Sequence, residues 1–132
     1  MTKPDINIDE LAAKRDIKGL IKALKSKDNA TRYSAASAIS KLGPDAAEAI
    51  PALIEMLKHW DTMTRVAAVG AIGKISINCK TEVATAMTAL QTALKDREGI
   101  VRRAAVTALQ DIDPAQQYLE TEEDPELLAD SP

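Results

Sequence analysis

The chain has 132 residues, a formal net charge of −3 and one cysteine, Cys79; this fits one domain, leaves no internal disulfide and argues against bulk electrostatic binding of nucleic acid. Its apolar fraction of 45% includes no Phe, one Trp and two Tyr, so small and aliphatic residues carry it and a sheet is not expected. Charges interrupt every apolar stretch well short of the ~20 residues that span a bilayer, and the lone cysteine, together with the lack of a charged-then-apolar leader, predicts a reducing, cytoplasmic setting.

Residues 1–15 read as an N-terminal segment in which Ile6, Ile8 and Leu11 surround a short helix from about Asp9 to Lys14. Such a helix suits the end of a stack, where it covers core left open by the absence of a neighbour. Asp16 is placed to cap the next helix, whose Ile17, Leu20, Ile21 and Leu24 fall at i, i+3, i+4 and i+7, one apolar stripe. A polar turn, Ser26 to Asn29, follows, with Asp28 as the N-cap of a second helix near 30–42. Gly43-Pro44 stops that helix and restarts the chain. The stripe returns as Ile50, Leu53, Ile54 and Leu57; Pro51 within it predicts a helix that starts late or bends. His59 to Thr62 form the next turn, with Asp61 as cap for a helix near 63–76. Asn78 to Thr81 read as a linker. Met87, Leu90, Gln91 and Leu94 make the third stripe, and its glutamine predicts a solvent-facing position. The turn Asp96 to Gly99, where Glu98 replaces the capping aspartate, leads into a helix near 100–112.

Charge is unevenly spread along this order. Residues 1–43 hold nine Lys/Arg against five Asp/Glu, residues 44–109 hold eight against seven, and residues 110–132 hold eight acids and no base. The last part, 114–132, also carries Pro114, Pro125 and Pro132 and no helical stripe longer than a turn. It is predicted to be an acidic, disordered tail.

The three pairs of helices are copies of one another. Leu24-Lys25 leads to Arg32, then Ala35, Ala38, Ile39 and Leu42; Leu57-Lys58 leads to Arg65, then Ala68, Ala71, Ile72 and Ile75; Leu94-Lys95 leads to Arg102, then Ala105, Ala108, Leu109 and Ile112. Each arginine stands eight residues after its leucine, and the copies begin 33 and then 37 residues apart. A period in this range marks a stacked-repeat architecture, in which each unit buries its apolar face only against its neighbours. The division is 16–43, 44–77 and 78–113.

Val101-Arg102-Arg103-Ala104-Ala105-Val106, Thr64-Arg65-Val66-Ala67-Ala68-Val69 and Ala49-Ile50-Pro51-Ala52-Leu53-Ile54 resemble the HEAT-like repeat of the phycobilisome-lyase type, and the likeness covers residues 16–113. The resemblance implies an all-α, right-handed α-solenoid, an armadillo/HEAT-like superhelix of about three helix-pair repeats with a short N-terminal capping helix. The family includes scaffolds, adaptors and a few enzymes, and the function expected here is that of a small adaptor or scaffold that binds a protein. Two rivals follow from the same likeness, an accessory role in phycobiliprotein chromophore attachment or turnover, and nucleic-acid binding as in HEAT-like DNA glycosylases. Metal-dependent hydroxylases of the superfamily use paired His-Glu motifs, whereas His59 is the only histidine of this chain. Neither a catalytic group nor a metal or cofactor site is expected, and Cys79 reads as structural.

Candidate contact residues come from the surface that remains. One, five and eight residues after each repeat arginine stand Tyr33, Ser37 and Ser40, then Val66, Gly70 and Gly73, then Arg103, Thr107 and Gln110. In solenoids of this kind that row lines the concave side, and the two glycines make its centre a shallow floor. Close packing of helices explains glycines within a helix equally well, and the two explanations stay open at this point. Trp60 and Met63, beside a turn, suit an interface, since Trp contributes large apolar area with few rotors; folding back over their own ridge is the alternative. Arg32, Arg65 and Arg102 read as structural, Arg32 and Arg65 through pairing with acids four residues earlier, Asp28 and Asp61; the alternative is a line of cations along the stack that grips an acidic strip. The resemblance adds a ladder between repeats. Lys14, Lys18, Lys22 and Lys25 form a basic stripe that is either a solvated face or a dock for nucleic acid, an acidic partner or the acidic tail. The open ends of the stack also allow end-to-end pairing of two copies.

Overall fold

The structure, a computed structural model, describes residues 6–77, 79 and 82–115. Among them there are helices and no strand: α1 Ile8–Ala13, α2 Ile17–Leu24, α3 Asn29–Leu42, a 3₁₀ segment Gly43–Ala49, α4 Ile50–Met56, α5 Thr62–Ser76, α6 Val83–Ala93 and α7 Gly99–Ile112. Side-chain caps set several of these starts. Asn7 accepts the Glu10 N–H, Asp16 that of Gly19, Asp28 that of Thr31 and Asp61 that of Thr64, each at 2.9–3.0 Å. A short acceptor at this position satisfies an N–H that the first turn of a helix leaves open, worth about 1 kcal/mol. Glu98 holds the same position ahead of α7 and makes no such bond.

The capping helix lies within a residue of the expected place, but Ile6 does not take part; it is 47% exposed, and Ile8, Leu11 and Ala12 make the contact with the core. At Gly43-Pro44 the chain restarts as a 3₁₀ turn. Gly43 adopts φ +61°, which an L side chain rarely tolerates, and Pro44 opens the segment. Pro51 lies in the first turn of α4, where its missing N–H costs nothing, so the helix starts late as predicted. Of the linker 78–81, only Cys79 is described, and it is buried. The tail expected over 114–132 lies outside the described residues except for Pro114 and Ala115.

Two layers result. The second helices pack in the order α3, α5, α7, with α1 against the outer side of α3; the first helices, α2, α4 and α6, form the other layer. The chain is thus an α-solenoid of helix pairs, with α5 sandwiched between α3 and α7. Leu20, Leu24, Ile39, Ile50, Leu53, Ile72, Ile75, Leu90 and Leu109 are buried in one continuous core, each worth about 1.5–3 kcal/mol. Ala35, Ala68 and Ala105, three residues after each repeat arginine, are fully buried; a side chain no larger than methyl lets the layers close. Gln91 is exposed, as its polarity requires.

Candidate binding surface

Each repeat arginine is buried, with exposures of 3%, 4% and 3% for Arg32, Arg65 and Arg102. A buried guanidinium needs acceptors for its donors, and the inter-helix turn supplies one in every unit. Nη1 donates to the carbonyl six residues earlier: Ser26 for Arg32 at 2.9 Å, His59 for Arg65 at 2.8 Å, and Asp96 for Arg102. Arg32 and Arg65 also reach the following unit. Arg32 Nε donates to Thr64 Oγ1 at 3.1 Å, with the Asp61 carboxylate 3.8 Å from its Nη2. Arg65 forms a two-pronged pair with Asp96, 2.9 Å from Nε and 3.2 Å from Nη2. This corrects the expected pairing within one turn. The carboxylates that Arg32 and Arg65 meet belong to the next turn along, because side chains at the start of a second helix face the neighbouring unit rather than their own cap.

Asp61 is the junction of this network. Its carboxylate accepts from the Thr64 N–H, the Thr64 hydroxyl and the Tyr33 hydroxyl of the preceding unit. The bond from the Thr64 hydroxyl, then that from Tyr33, holds its carboxyl below the usual range. In return, the hydrogen bond to Asp61 raises the Tyr33 phenol above its ordinary value. His59 is half-buried; burial, then the Arg32 guanidinium, pushes its pKa down. A neutral ring is what its contact requires, since Nδ1 accepts the Asp61 N–H at 3.0 Å.

The ladder fixes α3 and α5 side by side and leaves a groove of about 340 Å³ between them on the face away from α2 and α4. Tyr33, Ser37, Ser40 and Gly70 line it, and Lys41 and Lys74 stand at the end where both helices finish. A larger hollow of about 750 Å³ between α1 and α3 shares Tyr33, Ser37 and Lys41. Nothing lies within 4 Å of where a Gly70 Cβ would be. Gly73 is different and leaves the row: it is buried, and a Cβ there would sit 2.8 Å from the Ala108 Cβ. Of the two explanations for the helical glycines, open floor describes Gly70 and close packing describes Gly73.

The structure brings Tyr33, Ser37, Ser40 and Gly70 together and sets the other predicted residues apart. Val66 is half-buried against the core, while Arg103, Thr107 and Gln110 are exposed along α7, beyond the groove. Trp60 does not fold back: it is 73% exposed, with its ring 5.3 Å from that of His59. Met63 and Ile100 are 48% and 42% exposed. Sequence reasoning missed Ile100, Lys41 and Lys74, although a signal was present. Met63 and Ile100 both stand two residues before a repeat arginine, and Lys41 and Lys74 both stand nine after one. Among the described residues, no group of His, Cys, Asp and Glu could hold a metal ion, and no helix is long and apolar enough to cross a membrane.

The profile of the family described as HEAT repeats matches residues 17–110 and, in an overlapping placement, residues 50–130. No curated protein matches the chain.

Proposed function

We propose, from the premise that the chain belongs to the HEAT repeats family, that it is a non-enzymatic protein-binding module, a small adaptor or scaffold. HEAT repeats commonly mediate protein–protein contacts. The observation that carries the reading is the α3–α5 groove. Its floor is small enough for close approach of a backbone, and the buried arginine network, which Tyr33 on its wall joins through Asp61, holds its two helices together. A groove floored by small residues, with Tyr33 on its wall and lysines at its end, suits a protein interface. A finer assignment, to phycobiliprotein chromophore attachment or turnover, rests on sequence resemblance alone; a change in bilin absorbance on mixing with the chain would favour it.

The test is affinity capture from extract of the source cell with the intact chain and with Gly70→Leu. The leucine projects into the groove from a position whose Cβ meets no atom within 4 Å. A protein retained by the intact chain and lost by a variant of unchanged Tm is the expected result. Equal retention removes the groove from the interface.

A further inference from the structure

We infer that the edge formed by the three inter-helix turns docks an acidic segment of a partner protein, one that also carries an apolar side chain to lie against Trp60. This rests on the protein-binding reading above and names the chemistry of the partner.

The carboxylates of this edge are used within the protein. Asp28 and Asp61 cap the helices behind them, and Asp61 also meets Tyr33 and Arg32. Asp96 pairs with Arg65 and accepts the Glu98 N–H. All three aspartates are turned to internal tasks. The cations of the same turns are not: Lys25, Lys27, Lys58, Lys95 and Arg97 are exposed, and none forms an ion pair among the described residues. Glu98 is the one acid of the turns without such a task. The edge is therefore positive although the whole chain is negative at −3.

Between the second and third turns lies a hollow of about 380 Å³ walled by Lys58, His59, Trp60 and Arg97, with the Arg65–Asp96 pair at its base. Its charge matches a partner carboxylate, and the exposed indole matches an apolar neighbour of that carboxylate. Burial keeps His59 neutral, so the hollow's polarity is set by Lys58 and Arg97. Nucleic acid suits the edge less well, because stacking on bases is served by several aromatic side chains and these turns offer one indole.

Trp60 is the only tryptophan of the chain, so its emission reports directly on this edge. The experiment titrates the full chain with a labelled synthetic peptide rich in Glu and Leu, a peptide with Ser in place of Leu, and an oligothymidine of equal charge. Expected are saturable binding of the Glu/Leu peptide, a blue shift of Trp60 emission, and binding at least tenfold weaker for the Ser peptide. Lys58→Glu/Arg97→Glu weakens binding tenfold or more with its melting temperature kept. Lys18→Glu/Lys22→Glu, an equal charge change on α2, leaves binding unchanged. Equal losses in both variants reduce the effect to net charge and overturn the proposal, as does oligothymidine binding more tightly than the peptide. Binding seen only in a chain ending at Ala115 assigns the edge to residues 116–132 and overturns it as well. A captured partner that is lost with Gly70→Leu but indifferent to Lys58→Glu/Arg97→Glu leaves the protein-binding reading standing and removes this one.

Discussion

Gly70 and Gly73 lie three residues apart in α5, and the same substitution at each is expected to act in opposite directions. A helix-interior Gly→Ala change gains about 1 kcal/mol from helix propensity. At Gly70 nothing opposes the new methyl, so Gly70→Ala stabilises by about that amount. At Gly73 the methyl arrives 2.8 Å from the Ala108 Cβ and 3.3 Å from its Cα. Neither atom swings aside, because one is backbone and the other is fixed to it, so α5 and α7 must separate. Overpacking of this kind costs about 1–3 kcal/mol, which cancels or outweighs the propensity gain. The two variants therefore differ by about 1–3 kcal/mol, or about 4–12 °C in melting temperature at roughly 4 °C per kcal/mol for a domain of this size. Urea denaturation and thermal melts followed by circular dichroism measure both. Ala108→Gly in the Gly73→Ala background should recover most of the loss, since the two sites share one contact. Equal shifts for the two alanine variants, or no recovery with Ala108→Gly, would refute the claimed approach of α5 to α7.

Other consequences concern the arginine network and pH. Arg65→Ala leaves Asp96, a side chain only 13% exposed, without its cation, and should cost about 3–5 kcal/mol in urea denaturation. Arg15→Ala, by contrast, removes an exposed pair with Asp45 and should cost no more than about 1 kcal/mol in the same measurement. Asp61 and His59 both have lowered pKa values in the folded chain. The unfolded state therefore takes up their protons first, and stability falls as pH drops, below about 6.5 for His59 and below about 4 for Asp61. His59→Gln should flatten the upper part of that profile in pH-dependent melts; an unchanged profile would remove His59 from it.

Much of the stack was legible in the residues. The three-fold return of leucine, arginine and alanine at fixed intervals gave helix order, caps at Asp16, Asp28 and Asp61, and the solvent position of Gln91, because each is decided by local geometry or by burial within a helix. What escaped was decided between units. The destination of an arginine eight residues past a leucine depends on how far the next turn is offset, so Asp96 as the partner of Arg65 was not predictable from i−4 spacing. Gly70 and Gly73 look alike in sequence and differ only in whether Ala108 lies opposite. Trp60 carried no periodic partner to show which way it points. Lys41, Lys74 and Ile100 were visible as repeat positions once the arginine was used as origin, but surface residues carry no burial pattern to draw attention to them.

The layer of second helices, together with its turn edge, is the proposed working surface. Chemical-shift mapping by NMR, with the captured partner titrated into the labelled chain, tests this most directly. Shifts confined to Ser37, Ser40, Gly70, Lys41, Lys74 and the Trp60 indole and its neighbours are the predicted result. Shifts gathered instead on the exposed side of α2, α4 and α6 would contradict the account.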